Sequence, residues 1–163
     1  MNPSLVHHVA QFLYQNAERC DQREWDDYLE DFDPKCEIHL PQWIDEYHYV
    51  TDPNNGLSYM YYSDRTGLED RIFRLRTGKS AASTPLARTV HNLMNIRILE
   101  DHAEQLVVKL NWNTFYYRQG LQGNFYGYAT YHLNKVNDSY KIAKKHIVLL
   151  NDKIDSVLDF YHI

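Results

Sequence analysis

The chain has 163 residues, enough to bury one core of its own without disulfides or a metal, and its 44% hydrophobic and 24% charged residues are the balance of a globular domain. A net charge of −5, with no run of five or six like charges, argues against nucleic acid or an anionic membrane as a partner. Met1 to Ala10 lacks a basic stretch followed by an apolar one, and no apolar run reaches membrane-spanning length, so a cytoplasmic location and no membrane contact are expected.

Elements follow in chain order. Asn2-Pro3 sets a capping side chain before a proline suited to the first helical position, and Val6, Val9, Leu13 and Ala17 recur on one helical face. Asp21 and Glu24 have the spacing of a capping box, and Trp25, Tyr28, Leu29 and Phe32 then mark a second short helix that Asp33-Pro34 ends. Lys35 to Gln42 reads as a strand. The stretch Trp43 to Gly56 has turn chemistry in Asp52-Pro53-Asn54-Asn55-Gly56 yet carries Trp43, Tyr47 and Tyr49, and loops this aromatic usually cover something. Tyr59 to Tyr62 is a brief strand or the approach to a helix. Thr66 and Glu69 then form a second candidate capping box, with Leu68, Ile72 and Leu75 on one face up to Gly78.

Beyond the link Ser80 to Pro85 the period becomes extended, in runs Arg88–Leu99, Leu106–Arg118, Asn124–Val136 and Tyr140–Leu150. In the second run Leu106, Val108, Leu110, Trp112 and Tyr116 alternate with Lys109, Asn111 and Asn113, the pattern of a half-buried strand. Turn clusters between the runs predict an antiparallel meander. The fold class expected is therefore α+β: a single domain over residues 1–163, with helices at about 3–32 and 64–77 and mainly strands over 88–163. The N-terminal helices would pack on a long curved antiparallel sheet and close it into a cone, the layout of nuclear-transport-factor-2-like (NTF2-like, or cystatin-like) folds. Runs this long need bends, and Gly127 is the candidate position.

Little here carries chemistry. Apart from His7-His8, the nine histidines are scattered without metal-ligand spacing. Cys36-Glu37-Ile38-His39 has one C-x-x-H pair but no second, and Cys20 and Cys36 read as buried reduced thiols. No nucleophile elbow, phosphate loop or dinucleotide fingerprint occurs. Inside the cone, His91 or His132 could act as a general base, with Tyr126 or Tyr131 as proton donor, or all four could be structural. Arg65, Arg71, Arg74, Arg76 and Lys79 make a basic helix, but Asp64, Glu69 and Asp70 are interleaved, which favours ion pairing or an interface over an anion site.

The stretch Tyr61-Tyr62-Ser63-Asp64-Arg65-Thr66-Gly67-Leu68-Glu69-Asp70-Arg71-Ile72-Phe73-Arg74-Leu75-Arg76-Thr77-Gly78, with Ser83-Thr84-Pro85 and Arg88-Thr89-Val90-His91-Asn92 after it, resembles the signature region of the small (β) subunits of bacterial Rieske-type aromatic-ring-hydroxylating dioxygenases. The opening helices, the aromatic loop after Pro41 and Asn124-Phe125-Tyr126-Gly127 fit the same pattern, closest to the benzoate, toluate and anthranilate group. The resemblance implies a non-catalytic structural subunit of an NADH-dependent dioxygenase of aromatic-acid catabolism. Its own trimer would be the platform for α subunits, three α and three β. The α partner would hold a Rieske 2Fe–2S cluster and a mononuclear Fe(II), and a reductase component would deliver electrons from NADH. Catalytic, cofactor and metal residues are then expected to be absent from this chain, whose cysteine and histidine spacing also assembles neither iron site.

The expected subunit-interface residues are Trp43, Tyr47 and Tyr49 on the aromatic loop and Arg71 and Arg76 on the basic helix. Arg71, Arg74, Arg76 and Arg88 are expected to make hydrogen bonds that orient the chain as it enters the long strands. The alternative is a free-standing dehydratase or isomerase of the same cone fold. That reading requires an open pocket with a histidine and a carboxylate within about 3 Å of each other. A third reading is a homo-oligomeric binding protein for a small aromatic acid.

Overall fold

The computed structural model describes residues 2–154 and 157–163. Helix α1, Pro3–Gln22, starts where the Asn2 side chain accepts from the Ser4 N–H at 3.0 Å, and it ends at Arg23, whose φ of 63° turns the chain out of the helix. Its inward stripe buries Val9, Phe12, Leu13 and Cys20, and each large apolar side chain taken from water contributes about 1.5–3 kcal/mol before entropy. Helix α2, Trp25–Glu30, follows at once. The expected Asp21–Glu24 capping box does not form, because α1 runs through Asp21 and Glu24 caps α2 without a side-chain bond. The Asp21 carboxylate is drawn instead to a strand far along the chain, where three donors meet it.

Six strands form one curved sheet in the order β2-β1-β6-β5-β4-β3. They are β1 Phe32–Pro41, β2 Ser58–Tyr62, β3 Arg88–Asp101, β4 Gln105–Arg118, β5 Leu121–Val136 and β6 Ser139–Leu149. Strands β3 to β6 are the predicted antiparallel meander, and β4 and β5 pair without a break from Gln105↔Asn134 to Arg118↔Leu121. The sheet departs from the all-antiparallel expectation at one place, since β1 runs parallel to β6. No tight turn joins those two strands, and the intervening elements supply the long connection a parallel pair requires.

Period-2 alternation decides the faces. Phe125, Ala129, Tyr131 and Leu133 of β5 are buried beneath the helices, whereas Tyr126, Tyr128, Thr130 and His132 point to the outer face. On β4 the inward set is Leu106, Val108, Leu110, Trp112 and Thr114. The register slips at Met94/Arg97 and Ile98/Glu100 in β3 and at His132/Leu133 in β5, and these irregularities bend the long strands. Gly127 is not a bulge. It pairs in register with Trp112 and Leu149, and a β-carbon there would lie 1.8 Å from the Val148 carbonyl oxygen.

Helix α3, Thr66–Thr77, also starts differently from expectation. Asp64, not Thr66, accepts from the first-turn amide, that of Thr66, at 2.8 Å, while Glu69 is held by Arg65 Nε at 2.7 Å. Among the described residues strand structure stops at Leu149, one residue short of the predicted last run, although strands are expected to predominate as far as residue 163. Phe160–His162 form a single 3-10 turn, and Phe160, Tyr161, His162 and Ile163 are all buried in the mouth of the cone.

Candidate functional site

Inside the cone, α1 supplies Asp21 and Cys20, β3 supplies His91, β4 Trp112, β5 Tyr131 and β6 Lys145. The Asp21 carboxylate accepts from Thr89 Oγ1 at 2.8 Å, from the His91 main-chain N–H at 3.0 Å and from His91 Nδ1 at 2.6 Å. This histidine–carboxylate pair is what a general base of the cone type needs. The second requirement is not met, because the enclosed cavity that His91 lines measures only about 20 Å³, and the groove of about 700 Å³ that Asp21 and His91 line together is open to solvent. Organic ligands occupy pockets of roughly 300–1,000 Å³. The walls come together because Tyr28, Trp112, Tyr131, Ile147 and Ile163 fill the interior.

Of the four residues considered for catalysis, His91 and Tyr131 face this interior. His132 and Tyr126 lie on the outer face of β5, so sequence reasoning placed them on the wrong side of the sheet. His132 belongs to a cluster with the buried His39 and the half-buried His146, and burial together with Lys144 lowers its pKa. His39 bonds Ser58 Oγ at 2.9 Å, and its ring centroid is 5.3 Å from that of His146. Burial, with help from His39 and Lys144, pushes His146 down to about 4. Among the described residues no three His, Cys, Asp or Glu side chains are placed to hold a metal ion.

The buried thiols are poor nucleophiles. Burial raises both Cys20 and Cys36 to about 12, against a smaller lowering by Lys145. Lys145 itself is 5% exposed and donates to the main-chain oxygen of Ile163 at 3.1 Å. Sequence reading missed it, although it shares inward parity with Ile147 and Leu149, a signal available from alternation alone.

The aromatic loop divides. Trp43 and Tyr49 face each other across an isolated bridge with ring centroids 5.5 Å apart, and Trp43 Nε1 donates to Leu149 O at 2.6 Å. Both brace the loop against their own sheet. Tyr47 sits at the tip, 86% exposed, over a turn in which Asp45 accepts from the Tyr47 and His48 amides at 2.8 Å.

The basic helix is engaged within the chain. Arg71 forks both Asp159 carboxylate oxygens, and Arg76 meets Asp26 at 2.7 Å. Asp159 in turn accepts from Phe160 N–H at 2.8 Å and starts the 3-10 turn. Arg71 therefore orients the C-terminal segment and not the approach to the long strands. That task falls to Arg118, which donates to Ala81 O at 2.7 Å, Pro85 O at 2.8 Å and Thr84 O at 3.3 Å. Arg88 stacks over Tyr117 at 4.5 Å, and Arg74 lies exposed. No local pattern marks Asp159 or Arg118, because their partners lie far off in sequence.

The family model described as "Ring hydroxylating beta subunit" matches residues 15–156. The chain is 57% identical over 155 residues to the anthranilate 1,2-dioxygenase small subunit of Acinetobacter baylyi, covering 95% of each protein. It is 37% identical over 158 residues to the benzoate 1,2-dioxygenase subunit beta of the same organism, covering 97% of this chain and 94% of that protein. The crystal structure of the benzoate 1,2-dioxygenase beta subunit from Burkholderia mallei superposes with a TM-score of 0.80 at 32% identity, over 95% of both chains. With its cone, its closed interior and these relatives, the chain belongs to the ring-hydroxylating beta subunit family.

Proposed function

We propose that this chain is the structural β subunit of an anthranilate- or benzoate-type ring-hydroxylating dioxygenase, and that it works in the cytoplasm as a trimeric platform for three large α subunits. The observation that carries this reading is identity of 57% to an anthranilate 1,2-dioxygenase small subunit across 95% of both chains. The higher identity to that relative than the 37% to a benzoate counterpart favours anthranilate as substrate of the assembled enzyme. In this reading the α subunits carry the Rieske cluster and the mononuclear iron, and a reductase supplies electrons from NADH. The interior of this chain supports a division of labour. A histidine–carboxylate pair is present, but the enclosed cavity that His91 lines, about 20 Å³, has no room for an aromatic acid, and the groove that the pair lines together is open to solvent.

The partner contact is assigned to the loop after β1. Tyr47 and Ile44 are 86% and 70% exposed there, on a turn stiffened by Asp45 and braced from beneath by Trp43 and Tyr49. A rigid, exposed aromatic is the side chain most often found at the centre of an interface. Arg76, 49% exposed at its side chain in a pair with Asp26, is a second candidate, worth little as an intrachain bridge alone. Arg71, Trp43 and Tyr49 would act at the interface by holding the surface they support.

Native mass spectrometry of the chain co-expressed with the large subunit encoded beside it tests the reading. A hexamer with iron confined to the large subunit is expected, and Tyr47→Ala should weaken it by about tenfold or more in dissociation constant while leaving the fold intact. A chain that never binds the large subunit would contradict the platform role. A Tyr47→Ala complex of unchanged stability would move the contact elsewhere.

A further inference from the structure

Three buried side-chain polar atoms among the described residues have no hydrogen-bond partner in the protein: His91 Nε2, Trp112 Nε1 and Thr114 Oγ1. They are neighbours. His91 and Thr114 are direct partners across β3 and β4, Leu93 and Trp112 are the next inward pair, and His91 and Trp112 both line the cone cavity. Unmatched buried polar atoms are costly and uncommon, and three on one patch point to a shared partner.

The chemistry of that partner can be read from the atoms. The Asp21 carboxylate has no proton to give, so the Nδ1 that meets it at 2.6 Å carries the imidazole proton. In the neutral ring Nε2 is then an acceptor, and His91 lines the cavity. The Trp112 indole N–H can only donate, and the Thr114 hydroxyl can do either. A molecule that both accepts and donates fits, and the size is decisive. A cavity of about 20 Å³ exceeds the roughly 10–15 Å³ that one water needs and is far too small for a carbon framework. Of the other polar lining groups, which include Asn16, Tyr28 and Tyr131, Lys145 donates to Ile163 O at 3.1 Å, Asn16 donates to Asp31 Oδ2 at 3.1 Å, and Cys20 stays a thiol because burial raises it to about 12.

We propose that the cone interior is a binding site for one water molecule, which accepts from Trp112 Nε1–H and donates to His91 Nε2, with the Thr114 hydroxyl as the adjoining third group. Asp21 acts as a positioning residue, fixing the tautomer that leaves Nε2 free to accept. Ile163 seals the site. The interior of this chain is thus a hydrated polar joint between α1 and the β3–β4 pair and holds no organic ligand.

A crystal structure of the chain in its native assembly, with ordered waters refined, tests this in the wild type and in Trp112→Phe. One compact density peak within hydrogen-bond distance of both His91 Nε2 and Trp112 Nε1 is expected, lost in Trp112→Phe while the surrounding backbone superposes. No peak in the wild type, density elongated like an organic molecule, or a peak unmoved by Trp112→Phe would overturn it. If Trp112→Phe does not fold, the wild-type density decides, since the proposal requires the peak at that position.

Discussion

Arg71 reaches from α3 across 88 residues of sequence to Asp159, and the two side chains, 22% and 5% exposed, form a fork that fixes the C-terminal segment in the cone mouth. Lysine would keep the charge and lose one of the two parallel bonds. Arg71→Lys is therefore expected to lower unfolding free energy by about 1–2 kcal/mol in urea titration, and Asp159→Ala by about 3 kcal/mol, because the latter strands a partly buried cation and removes the cap of the 3-10 turn. Equal stability of both variants with the wild type would show that the segment is held by its apolar contacts alone.

His162, 4% exposed, makes a pH prediction of definite sign. Burial lowers its pKa to about 4, from an ordinary 6.5, against a smaller raising effect of Asp159 and with a further lowering by His91. Above pH 6.5 both folded and unfolded states are neutral at this position, and the stability is fully present. As pH falls from 6.5 towards 4 the unfolded chain takes up a proton that the folded one refuses, so stability drops, by on the order of 3 kcal/mol for this group. His162→Gln, which keeps an acceptor for the Asp159 amide but cannot titrate, should flatten that part of the pH profile in thermal melts. His146, also lowered to about 4 but partly exposed, adds to the wild-type slope in the same direction.

At the scale of elements, the closest constraint is where β5 crosses β6. A β-carbon at Gly127 would sit 1.8 Å from a main-chain oxygen that cannot move without breaking the ladder. Gly127→Ala is expected to cost about 3 kcal/mol or more, measurable as a lower urea midpoint, whereas an alanine tolerated there would mean the strands separate easily. Elements governed by local rules were legible in the sequence: the Asn2 cap, the α1 stripe, and β3 to β6 with their turns, within a few residues of their bounds. What escaped depends on distant partners. The parallel register of β1 on β6 leaves no turn signature, and the Asp21 and Thr66 capping boxes failed because competing donors, from β3 for Asp21, and an acceptor two residues earlier, Asp64, were closer. The one-position slip at His132/Leu133 did not disturb the parity that sets Tyr131 inward and His132 outward, yet the face of each could be assigned only once the helices were placed.

For the whole molecule, the cone shape and the family both followed from the sequence, the first from element order and the second from the Tyr61–Gly78 stretch, where α3 lies. The filling of the cone did not. Nothing in the local pattern of the last residues announces that Phe160 packs between Trp25 and Tyr28, that His162 sits against Tyr116 and Phe125, or that Ile163 closes the cavity. These contacts fill the interior of the cone down to a cavity of about 20 Å³. The Asp21–His91 pair also joins α1 to β3.

In the proposed assembly this chain supports catalysis carried out by the large subunit. Oxygen uptake with anthranilate and benzoate, in the presence of NADH and the reductase, measures it most directly, first on this chain alone and then on the co-purified complex with the large subunit. No substrate-dependent uptake by the isolated chain and robust uptake by the complex are expected. Turnover by the chain alone would contradict it.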